Sequence, residues 1–141
     1  MKEVLNIAPI ILYFIVGMIS LLMAYENLFA KQYLPFHEKA AEKTWNEIDE
    51  SLKLVILSFL RLIGLGFLIV SILLIVFPVI NYFSPNVYIE FITPIVAFIF
   101  CIGLFANNYL LFKQTKTDTP WKGSLYASII IIIGIIISIL S

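Results

Sequence analysis

Leu54–Tyr82 reads LVILSFLRLIGLGFLIVSILLIVFPVINY, twenty-nine residues with one charge, Arg61. About 20 apolar residues suffice to cross ~30 Å of hydrocarbon at ~1.5 Å per residue. Three further stretches meet the same requirement, Val4–Tyr25, Tyr88–Phe112 and Trp121–Leu140. Of the 141 residues, 62% are hydrophobic and 13% charged, against roughly 45–50% and 25% in soluble domains. Such a chain cannot cover its apolar surface with polar groups, and lipid is its natural solvent. The expected fold is all-α: a single polytopic membrane domain over residues 1–141, four transmembrane helices and a cytoplasmic interfacial amphipathic helix. The first apolar run is too long for the ~7–15-residue core of a signal peptide and no A-x-A-like site follows it, so it reads as a retained membrane helix.

The span boundaries carry chemical signals. Asn81–Asn86, NYFSPN, is a turn cluster that makes spans two and three a tight helical hairpin. In TDTPWKG, Thr119 is the expected N-cap of span four, with Pro120 at its first helical position. Thr44–Glu47, TWNE, is a capping box expected to open the helix that becomes span two. Between residues 35 and 52 the apolar side chains Phe36, Ala40, Ala41, Trp45, Ile48 and Leu52 recur at helical spacing. This predicts one amphipathic helix with His37, Glu38 and Glu42 on its polar face, supported by Lys43–Glu47 and Asp49–Lys53 pairs at i,i+4.

Nine Lys/Arg balance nine Asp/Glu, which excludes a nucleic-acid footprint. The lysines are nevertheless asymmetric. Seven of them (31, 39, 43, 53, 113, 116 and 122) lie in the loops after spans one and three, and only Lys2 lies on the other side. The positive-inside rule then puts loops 1 and 3 in the cytoplasm and both termini outside a cell membrane. Trp45 and Trp121 fit the inner aromatic belt, or an interfacial site together with His37.

Arg61 lies nine residues beyond Leu52. A register with Arg61 in the inner leaflet, its stem snorkelling toward the cytoplasm, avoids the cost of a charge at midplane. Its five donors need acceptors, and residues of matching depth are Glu26, Asn27, Asn107, Asn108 and Asp118. With Arg61 these form the expected polar cluster, Arg61–Glu26 being its leading pair; simple anchoring is the alternative. Gly64, one turn away, admits a neighbouring helix. Glu90 reads as a helix-start acid favoured by the dipole, with proton coupling as its functional alternative.

No metal or cofactor is expected. No HExxH or CxxC spacing occurs, the one cysteine, Cys101, lies in an apolar run, and a single histidine rules out bis-His haem within one chain. No serine, cysteine or lysine stands at a recognisable spacing from a base.

The stretch PFHEKAAEKTWNEIDESLKLVILSFLRLIGLGFL (35–68), with His37, Trp45, Arg61, Gly64 and Gly66, resembles a pattern in small bacterial four-helix membrane proteins, as does TPW (119–121). The resemblance covers about a third of the chain and implies the four-span fold and weight on His37, Trp45 and Arg61, without an activity. The expected function is therefore association, as a subunit or homo-oligomer beside the lipid bilayer. The alternatives are a transporter or small-molecule or lipid-binding protein using the polar cluster, and a lipid-modifying enzyme using His37.

Overall fold

The computed structural model describes residues 2–140; Met1 and Ser141, and the side chains of residues 2–5 with Lys2 among them, lie outside the described residues. The chain is all-helical: α1 (Lys2–Leu28), α2 (Pro35–Ala41), a 3-10 turn (Trp45–Glu47), α3 (Glu50–Phe83), α4 (Val87–Thr115) and α5 (Trp121–Leu140). α1, α3, α4 and α5 are each long and apolar enough to cross a membrane, as Leu54–Tyr82 and its three counterparts require.

The four long helices close into a ring in the order α1, α3, α4, α5, with the most extensive pairing between α1 and α3. The reason is in the sequence. Tyr13, Gly17, Ser20, Ala24 and Asn27 are buried along α1, and Leu60, Gly64, Ser71 and Leu74 along α3. The α1 set alternates steps of four and three and the α3 set steps by four, seven and three, both keeping to the heptad-type seam of antiparallel helix packing. Small residues on both sides let the backbones approach, which is how helices associate where lipid removes the hydrophobic drive. Gly17 meets Leu74 and Ile75 while Gly64 meets Asn27 and Leu28, so facing residue numbers sum to about 92 along the pair. The shared core draws from every long helix: Tyr13 and Val16, Val70 and Leu74, Ala97 and Cys101, and Ile131. Outward faces are apolar and exposed, as at Leu22, Leu54, Ile99 and Ile139, and are the surface lipid would cover.

The α3–α4 hairpin turns at residues 84–86, where Asn86 caps α4 by accepting from the Tyr88 and Ile89 amides and its own amide donates to Asn81 Oδ1 at 2.7 Å. Prolines interrupt three of the long helices, Pro9 in α1, Pro78 in α3 and Pro94 in α4. All three stand in the half of the bundle away from the lysine-bearing loops.

Four local expectations need correction. The segment 35–52 is not one amphipathic helix: α2 stops at Ala41 because Glu42 takes the left-handed conformation, φ 52°. The Thr44–Glu47 capping box forms, with both the Thr44 amide and hydroxyl donating to Glu47 Oε2 at 2.7 and 2.9 Å. It opens only the 3-10 turn, and α3 starts afresh after Asp49. The ion pair of this region is Lys53–Glu50 at i,i+3, 2.8 Å, since the Glu47 carboxylate is engaged by Thr44. Thr119 does not cap α5 through its hydroxyl, which donates across to the Asn108 carbonyl of α4 at 2.8 Å.

Candidate functional site

At the lysine-bearing end the structure separates most of the expected cluster. Arg61 and Glu26 are both exposed, and among the described residues the only ion pair is Lys53–Glu50. The α1–α3 register puts Glu26 level with Leu65–Gly66, so Arg61 lies about five residues, ~7.5 Å, nearer the end of the bundle. Azimuth separates them further. Gly17 faces α3, and Glu26, nine residues on, is about two and a half turns away and so points from the opposite side of α1. Asn27 is buried in the seam and its amide donates to the Met23 carbonyl at 2.8 Å. Asn107 and Asp118 are exposed, while Asn108 is half-buried and contributes its backbone carbonyl to Thr119. Arg61 itself lies in a stripe with Leu54, Ser58, Leu65 and Ile72, all exposed.

The interfacial residues are also divided. Trp121 packs against Phe105, Tyr109 and Phe112, with Lys122 Nζ 5.7 Å from its ring centroid. Trp45 makes an edge contact with Tyr33 at 5.1 Å, and the Tyr33 hydroxyl donates to the Lys43 carbonyl. His37, expected on a solvated face, is half-buried against Phe36, with ring centroids 3.9 Å apart. Its Nδ1 accepts from the Leu34 amide at 3.3 Å, so that nitrogen holds the loop and not a ligand. Burial pushes the imidazole below its ordinary value. His37, Ala40, Ala41, Ile48 and Leu52 still meet, lining an open apolar groove of about 440 Å³ with Phe59 and Leu111. The break at Glu42 thus redirects the apolar residues onto α3 and α4 without dispersing them.

A larger cavity than this groove is at the other end of the bundle, and of its residues only Glu90 stood out in the sequence as an acid with a functional alternative. A vestibule of about 560 Å³ opens there among α1, α3, α4 and α5. Its polar groups come from all four: Asn6 and Tyr13, Asn81, Glu90, and Ser138. Tyr82 and Phe91 add aromatic walls, and Pro9, Pro78 and Pro85 shape the rim. Tyr13 is 3% exposed, its ring seated in the notch that Gly134 leaves in α5. Its buried hydroxyl lies beside Ser138 and has no other hydrogen-bond partner among the described residues. Glu90 is half-buried and sits in the first turn of α4, where the helix dipole favours its charge. A sequence signal for this site did exist, namely Asn6, Pro9, Pro78, Asn81, Glu90 and Ser138, polar or helix-breaking residues all within reach of the same ends of their spans.

Among the described residues no group of three or more His, Cys, Asp or Glu side chains is placed to hold a metal ion. No family model matches the chain, no curated protein matches it, and no solved structure matches it. The likeness of residues 35–68 to small bacterial membrane proteins gains no support from these comparisons.

Proposed function

We propose that this chain is a multi-pass membrane protein that binds a small solute in the vestibule beside Tyr13 and Glu90. The supporting observation is convergence: polar side chains from four helices, Asn6, Asn81, Glu90 and Ser138 among them, meet in one cavity. The volume falls within the ~300–1,000 Å³ of small-molecule pockets. The lysine count supports a membrane orientation with both lysine-bearing loops in the cytoplasm and the vestibule facing outward. The test is equilibrium binding of a panel of small aromatic solutes to the purified protein in lipid nanodiscs. Saturable binding by the wild type, removed when Ile89→Trp fills the cavity, is expected. Equal uptake by the wild type and the filled variant would overturn the proposal.

Association as a subunit or homo-oligomer is the second reading, favoured by the exposed Arg61 within an otherwise nearly apolar stripe of α3. A carboxylate from another chain would engage its donors, as headgroup phosphates do when it serves as an interfacial anchor. Native mass spectra in mild detergent decide this. A defined oligomer lost on Arg61→Leu supports association, and a monomer with bound lipid supports anchoring.

A further inference from the structure

The sign of the vestibule's charge follows from its walls. Among the described residues that line it, Glu90 is the one carboxylate and no Lys, Arg or His is present. Helix dipoles do not offset that charge, because the N-terminal ends of α1 and α4 and the C-terminal ends of α3 and α5 meet at this end and oppose one another. Pro94, buried one turn beyond Glu90, also removes the amide that would bond the Glu90 carbonyl in a regular helix.

The walls then restrict the kind of cation. Ca²⁺ takes six to eight oxygen ligands and Mg²⁺ near-octahedral oxygens, whereas the described walls offer one charged carboxylate, the neutral oxygens of Asn6, Asn81 and Ser138, and aromatic rings. Aromatic faces attract weakly hydrated organic cations through the ring quadrupole, and Tyr82 and Phe91 supply two such rings around the same space. The cavity volume, about 560 Å³, suits a molecule and not a bare ion.

We propose that the vestibule binds a small organic ammonium cation, with Glu90 as its counter-ion and Tyr82 and Phe91 as its aromatic walls. This rests on the reading of the vestibule as a solute site. The probe is benzyltrimethylammonium, compared with neopentylbenzene, its neutral carbon isostere, on nanodisc-embedded protein against empty nanodiscs. The cation is expected to bind saturably, to lose at least about tenfold in affinity in Glu90→Gln, and to recover most of it in Glu90→Asp. Neopentylbenzene binding is expected to be unchanged by Glu90→Gln. Should Glu90→Gln not fold, the wild type gives the same information, because benzyltrimethylammonium should slow carbodiimide labelling of Glu90 and neopentylbenzene should not. If the isostere binds as tightly as the cation and both are displaced by Ile89→Trp, the solute site stands and the cation assignment falls. If neither binds above empty nanodiscs, both fall.

Discussion

Gly64 of α3 lies against the backbone of Leu28 in α1: a Cβ on the glycine would stand 2.9 Å from the Leu28 amide nitrogen and 3.1 Å from the Asn27 Cβ. The obstacle at Leu28 is main chain, so it cannot move aside alone. Gly64→Ala should cost about 1–3 kcal/mol by overpacking the α1–α3 seam, and Gly64→Leu should prevent the bundle from closing. Gly103 has nothing within 4 Å of the same position, and Gly103→Ala should be neutral or stabilising by up to about 1 kcal/mol. Unfolding of the purified variants in mixed micelles compares all three.

Arg61 and Glu26 point from different faces at different depths, so they should be energetically independent. A double-mutant cycle of Arg61→Gln and Glu26→Gln should give a coupling within about 0.5 kcal/mol of zero. A coupling above about 1 kcal/mol would require the pair that the sequence suggested and the fold separates.

The charge asymmetry predicts which ends face the cytoplasm. Single cysteines replacing Lys39 and Asn86, in a Cys101→Ala background, should react oppositely with a membrane-impermeant maleimide added to intact cells. The residue 86 thiol should label at once and the residue 39 thiol only after lysis. The reverse pattern would invert the topology and turn the vestibule to the cytoplasm.

Loop 1 should loosen on acidification in two steps. His37 is depressed below 6.5 by burial, so between its folded value and 6.5 the unpacked loop binds more protons than the packed one. Its packing contribution is complete above about pH 6.5 and is lost as pH falls through the folded value. Protonation also removes the Nδ1 acceptor from the Leu34 amide. Glu47 is held below 4.5 by its hydrogen bonds from the Thr44 amide and hydroxyl, so that turn persists above 4.5 and opens as pH falls through the depressed value. Trp45 fluorescence in a Trp121→Phe background should report both steps, and His37→Gln should abolish only the first.

Span number, length and turn positions were legible because they depend on runs of one residue class and on local punctuation such as NYFSPN and TPW. Depth was partly legible too, since counting from a span end is a one-dimensional operation. What could not be counted was azimuth across an unknown helix order. Glu26 matched Arg61 roughly in depth, yet the face of α1 that meets α3 is fixed by Gly17, Ser20 and Ala24, and Glu26 lies off that face. The capping box at Thr44 was readable as a cap, but Glu42 stopping α2 in a left-handed conformation has no strong sequence signature, because neither glycine nor asparagine stands there. The vestibule was spread over four segments separated by up to 132 residues, Asn6 to Ser138, and no single window contains more than a fragment of it.

The prolines of α1, α3 and α4 give the bundle two ends of unequal stiffness. Each removes one rung from its helical ladder, and the three missing rungs fall in the half that holds the vestibule. The other half keeps its ladders whole and its backbones clamped at Gly64. The bundle is therefore expected to bend more readily around the vestibule. Amides around residues 9, 78 and 94 should exchange with solvent deuterium sooner than those flanking Gly64, so that three half-helices yield locally while the α1–α3 clamp serves as the fixed base.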